Sequence, residues 1–242
     1  MKHILTVLVL IAGSATFTWG LDRADSSKDE RKSMHIFETT PVVYPLNLLQ
    51  QGIVHGQARI AISVDHEGKL TDVLVVGYSR REFADAAERA IREWSYEPMQ
   101  VLNEHVATQA VLNIDFSAKG AVISVDGNTD VSARLLSFRR ESQFNPCPLR
   151  DLDGVPMTTN FVAPEYPKEL AQHGVRGAVV VEFYIDQAGN VRVPAVLDSD
   201  FWELGCLAMD AVRQWQFAPP TRHGAPVLVR VRQEFVFGQT NT

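Results

Sequence analysis

Apolar residues recur at every second position along "AVVVEFYID" (178–186). Val179, Val181, Phe183 and Ile185 fall on one side, and Val180, Glu182, Tyr184 and Asp186 on the other. A period of two predicts a β-strand with one buried face. "DQAG" (186–189) supplies turn residues, and "NVRVPAVLD" (190–198) reads as the returning strand. Pro194 cannot donate to a ladder, so that strand is expected at an edge or with a bulge. The period then lengthens. Leu204, Leu207, Ala208, Ala211 and Trp215 recur at helical spacing, with Pro219 read as the stop. A last strand places Val227, Val229, Val231, Phe235 and Phe237 on a buried face, with Arg230, Arg232 and Glu234 on a wet one. Ahead of it all, "YPKELAQHG" (166–174) has Pro at the start and Gly at the end of a short helix.

The same pattern occurs twice. A shift of 121 residues lays Gly56–Phe116 on Gly177–Phe237 without a gap, and 12 of the 61 pairs are identical. They include Asp65/Asp186, Gly68/Gly189, Ala87/Ala208, Arg92/Arg213, Trp94/Trp215 and Pro98/Pro219. "AIREWSYEP" (90–98) and "AVRQWQFAP" (211–219) are its most conspicuous stretch, and "YPLNLLQQG" (44–52) matches "YPKELAQHG" after one inserted residue. An internal repeat of this kind means one structural unit used twice. The predicted fold class is α+β: two tandem small domains, each a three-stranded antiparallel sheet with two helices on one face. The units span 35–117 and 151–238, joined by 118–150 and followed by a tail at 239–242. Within the joining segment "AVISVDGNTDV" resembles a hairpin around Asp126-Gly127, and "VSARLLSFRR" a short helix.

Charge and the termini narrow the setting. A net charge of −6 argues against nucleic acid, whose phosphates need a surplus of Lys and Arg. "MKHILTVLVLIAGSATFTWG" (1–20) has the layout of a secretory signal peptide, and its apolar run is short for a membrane span. Residues 21–34 alternate in charge and read as a flexible tether. The protein is therefore expected in the periplasm, with retention in the inner membrane as the alternative. Cys147 and Cys206 are too far apart for a C-x-x-C motif. In an oxidising compartment they either pair, stapling the joining segment to the second unit, or remain free thiols.

No catalytic constellation is present in the sequence. The seven histidines form no H-E-x-x-H or His/Cys cluster at ligand spacing. "DLDGVPMTTNFV" (151–162) opens like a calcium loop but has Val162 where a bidentate Glu is required. Of the acidic positions shared by both units, Glu82/Glu203 suit an early helical turn and Asp65/Asp186 open turns. No enzyme activity, metal or cofactor is expected. Trp94 and Trp215 are expected in the sheet–helix core rather than as stacking platforms, with Pro98 and Pro219 completing that core motif.

Residues 152–238 strongly resemble the TonB C-terminal domain family: "YPKELAQHGVRGAVVVEFYIDQAGNV", "AVRQWQFAP" and the final strand follow that family's order. Residues 35–117 are similar but more eroded. The resemblance implies binding rather than catalysis: an extended peptide of an envelope protein, such as an outer-membrane transporter segment, adds as a strand to the sheet edge. Mapped here, the receiving strand is Val227, Leu228, Val229, Arg230, Val231, Arg232, Gln233 and Glu234. Its counterpart in the first unit is Val106, Ala107, Thr108, Gln109, Ala110 and Val111. Two departures point away from energy transduction. No long Pro-rich spacer follows residue 20, and Pro41 and Ala163 replace a glutamine often found three residues before the Tyr-Pro. The expectation is a periplasmic peptide- or protein-binding module. The alternatives are a membrane-anchored transducer for outer-membrane transport and a self-associating structural protein whose edges pair between copies, a homo-oligomer.

Overall fold

Alternation at 58–64 and 179–185 becomes the central strand of each of two sheets in a computed structural model, which describes residues 34–101, 104–117, 120–126 and 143–238. In chain order the first unit comprises β1 (His35–Glu38), α1 (Leu46–Gln50), β2 (His55–Val64), β3 (Leu70–Tyr78), α2 (Arg81–Ile91), β4 (Ser95–Glu97), β5 (Met99–Val101), β6 (Glu104–Val106), β7 (Thr108–Ser117) and β8 (Gly120–Asp126). After a 3-10 turn at Leu149–Asp151 the second unit comprises β9 (Thr158–Asn160), α3 (Lys168–Gln172), β10 (Gly177–Ile185), β11 (Val191–Ser199), α4 (Trp202–Val212), β12 (Gln216–Phe217), β13 (Thr221–Arg222), β14 (Ala225–Pro226) and β15 (Val229–Phe237). The fold is α+β, and its main sheets are antiparallel, ordered β3-β2-β7-β8 and β11-β10-β15. The 121-residue offset is kept in register: Gly56 faces Phe116 as Gly177 faces Phe237. The segments expected as a signal peptide and a short "VSARLLSFRR" helix, most of the expected tether and the tail lie outside the described residues.

The shared residues have structural work to do. Asp65 and Asp186 each accept backbone N–H bonds from residues two and four ahead, at 2.8–3.0 Å, which tightens the hairpin turn. Tyr44 and Tyr166 each donate to a carbonyl nine residues on, Ile53 and Val175, closing the loop around the short helix. The Trp94 and Trp215 indoles are buried and donate to the Thr40 and Val162 carbonyls at 2.9 and 2.7 Å. Trp215 meets Phe183, Phe217 and Phe235 within the second core, while Tyr44, Phe83 and Phe116 cluster in the first.

Two expectations are corrected. Pro98 and Pro219 do not end the helices, which stop at Ile91 and Val212. The last turns tighten into i→i−3 bonds, Trp94 to Ile91 and Trp215 to Val212, as each indole swings into the core. Of the segment read as a hairpin around Asp126-Gly127, one arm is described, and Gly127 with the other arm lies outside the described residues. Gly120–Asp126 runs antiparallel to β7, from Ser117↔Gly120 to Val111↔Asp126, giving the first sheet a fourth strand. The sheet faces opposite the helices are also not wholly wet. Ala61 and Val76 of the first unit are buried with Tyr184, Val193 and Leu228 of the second, so the two sheets pack together through those faces.

β11 carries the joint. It is an edge strand, as Pro194 predicts, and two residues, Val193 and Pro194, bulge opposite one of β10. Val193 adopts φ 44°, a costly conformation for a β-branched residue. The bulge aims its N–H at Asp72 Oδ2, 3.2 Å away, while the Arg192 guanidinium grips both oxygens of that carboxylate and the Val73 carbonyl. Asp72 and Val193 occupy the same position of the repeat. A strap completes the joint. Phe144 exchanges backbone hydrogen bonds with Tyr78 and stacks on its ring at 5.1 Å, then the Cys147 N–H donates to the Leu228 carbonyl at 2.7 Å.

Candidate functional site: the outer edge of the second sheet

β15 lies at the margin of its sheet, and the hydrogen-bonding direction of each residue follows from its neighbours. Ala178 faces β11, because its carbonyl accepts from Asp200 N–H; odd-numbered β10 residues therefore face β15. Their partners Val229, Val231, Gln233, Phe235 and Phe237 point their N–H and C=O groups inward. Arg230, Arg232, Glu234 and Val236 point theirs to the outer margin. Cys147 occupies the start of that margin through Leu228 O. Beyond Arg230, no strand lies beside it among the described residues.

The strand read as Val227–Glu234 is thus shifted: β15 starts at Val229 and extends to Phe237. Val227 packs against the second core and Leu228 is buried in the joint. Leu228 interrupts the alternation of "PVLVRV", a signal that its face is covered. Val229 is fully buried, whereas Arg230, Arg232, Glu234 and Val236 are exposed. Val236, outside the range chosen from sequence, belongs with the edge.

In the first unit the corresponding margin is occupied. β8 covers β7 from Val111 to Ser117, and Val111 pairs with Asp126. Glu104–Val106 forms a small hairpin with Met99–Val101, and Thr108, Gln109 and Ala110 lie on β7 ahead of the β8 pairing. The edges are therefore not equivalent: one is filled by its own chain.

At the Arg230 end of β15 the joint opens into a cleft of about 410 Å³, lined by Arg59, Val76, Cys147, Tyr184, Arg230 and Arg232. Glu182 takes the Arg232 guanidinium at 2.7 Å and that of Arg230 at 3.9 Å. Arg59 is 9% exposed and donates to Asn113 Oδ1 at 3.1 Å. Burial raises the Tyr184 phenol pKa, against the pull of nearby Arg230 and Arg59. That Arg59 and Tyr184 line one cleft is not legible in the sequence, since they lie in different units.

Cys147 and Cys206 are both free here. They are not equally accessible: Cys147 is buried in the second core, where burial raises its pKa, and Cys206 is exposed on α4. Among the described residues, no group of three or more His, Cys, Asp or Glu is placed to hold a metal. None of their helices is long and apolar enough to cross a membrane.

Comparison with known proteins places these units. Residues 40–118 and 162–238, together more than half of the chain, match the family described as Gram-negative bacterial TonB protein C-terminal. The chain is 35% identical over 71 residues to Protein TonB of Vibrio cholerae serotype O1, which covers 29% of this chain and 29% of that protein. The match thus spans less than a third of that relative's length.

Proposed function

This chain belongs to the TonB C-terminal family, with two tandem copies of the domain, and from that premise we propose that it is a non-enzymatic periplasmic protein that binds an extended segment of an envelope protein, such as an outer-membrane transporter, along β15. The observation carrying this reading is the asymmetry of the edges: among the described residues β15 leaves the outward groups of Arg232, Glu234 and Val236 without a neighbouring strand, while β7 has β8. Backbone groups at such an edge supply affinity, and alternate side chains supply selectivity. One segment is bound per chain, at the second unit. The exposed charges of Arg230, Arg232 and Glu234 meanwhile discourage pairing between copies.

The test is site-specific photo-crosslinking in intact cells, with the reactive group at Glu234 or Val236 and, as controls, at Asn113 and Asp115. A discrete envelope adduct from the β15 positions alone is expected. Equal adducts from both pairs, or none from β15, would sink the proposal. The membrane-anchored transducer differs in retaining residues 4–20 in the bilayer, and recovery of full-length protein in the membrane fraction would favour it.

A further inference from the structure

The strand that closes the first unit indicates how the open edge of the second is built to be filled. β8 lies antiparallel on β7, with Ser117 opposite Gly120 and Val111 opposite Asp126. The repeat offset carries Val111 to Arg232 and Ser117 to Gly238. A strand laid on β15 in the same register would cover Arg232 to Gly238, the stretch lying just past the Cys147 contact. Its carboxyl-terminal residue would stand opposite Arg232 and share that residue's face of the sheet. In the first unit the residue at this place is the apolar Val111; in the second it is an arginine.

The arginine cleft is at this end of the edge. Arg230 and Arg232 share one carboxylate, Glu182, and Arg59 of the first unit lines the same cleft. Two guanidinium groups against that one carboxylate leave a positive balance on β15, in a chain whose net charge is −6. Partial desolvation, with Arg59 and Tyr184 both buried, strengthens attraction for an incoming anion relative to open water. Guanidinium groups also match a carboxylate in shape as well as charge. Phosphate would satisfy the charge equally, but the continuity of the cleft with a strand-receiving edge favours a peptide carboxylate.

We infer that the cleft of Arg59, Arg230 and Arg232 is a carboxylate-binding site, and that the strand added to β15 runs antiparallel to it and ends there in an acidic residue or a free carboxyl terminus. This rests on the strand-addition reading above, and names the direction of the bound segment and the chemistry of its end.

The probe is the chain's own strand, Gly-Ala-Val-Ile-Ser-Val-Asp, labelled at its amino terminus and titrated with the protein by fluorescence anisotropy. Three forms are compared: amidated with Asp last, free acid with Asn last, and amidated with Asn last. At least one charged form should bind about tenfold tighter than the uncharged form, the scale of a charged hydrogen bond. Which one does so identifies the source of the carboxylate. The preference should vanish in the double variant Arg230→Gln, Arg232→Gln and survive in the double variant Arg230→Lys, Arg232→Lys. Equal binding of all three forms, lost in Glu234→Pro, overturns the cleft and leaves the edge standing. No saturable binding at millimolar peptide, or binding that Glu234→Pro leaves intact, overturns the edge and the cleft with it.

Discussion

Gly56 lies where β2 passes under the Phe83 ring: a Cβ added there would stand 1.9 Å from the ring edge, inside the aromatic cluster of the first core. Gly56→Ala should destabilise the protein by about 1–3 kcal/mol, the usual cost of overpacking, measured as a lowered urea midpoint at unchanged m-value. A second prediction concerns charge. Asp153 accepts the His223 and Gly224 N–H groups at 2.7 and 2.8 Å, bracing a turn in which both residues have positive φ. Those bonds hold its pKa below the ordinary aspartate value. A depressed pKa contributes stability above the unfolded value and loses it as pH falls through the folded one. Acidification below the usual aspartate range should therefore expose the His223 and Gly224 amides to exchange, with the core amides still protected. Asp153 had been weighed in the sequence only as part of a failed calcium loop, because its partners lie 70 residues away.

For the elements, the repeat and its periodicities were legible because each unit forms one core under local rules. The 121-residue offset predicts the shared register of β2 with β7 and β10 with β15, and Pro194 marks the bulged edge strand. Residues 120–126 were read as a hairpin arm because Asp-Gly is a strong turn signal. Alternation alone cannot say which strand a segment pairs with, and in the structure this one lies along the neighbouring edge of β7. Proline at Val122 tests this pairing. Val122 stands opposite Asp115 on β7, where the N–H groups of β8 and β7 are exchanged. Val122→Pro should deprotect the Asn113 and Asp115 amides in hydrogen exchange and leave β10 and β15 unchanged. Continued protection at Asn113 and Asp115 would mean that β8 is not what covers them.

For the whole molecule, the joint turns two repeats into one body. Asp72 and Arg192 are each about a quarter exposed, and their fork-to-carboxylate contact spans the units. Asp72→Ala removes that partner and leaves Val193 in its left-handed conformation without the hydrogen bond that holds it. The expected loss is about 1.5–3 kcal/mol, the range for hydrogen bonds to charged groups. Chemical unfolding followed by Trp fluorescence should change from a single transition to two, as the units uncouple. A single transition at the wild-type midpoint would assign the coupling to the apolar contacts of Ala61, Val76 and Leu228 alone.

Secondary structure, core faces, the twofold use of one unit and the family resemblance all came from the sequence, because each depends on spacing within one unit or on its recurrence 121 residues on. The covering of the first edge by β8, the lack of such a strand on β15 among the described residues, and the placing of Arg59 with Arg230 and Arg232 around one cleft were decided only by tertiary structure. Strand pairing and sheet-on-sheet packing are chosen among distant segments of similar pattern, and the outcome depends on which surfaces are already covered.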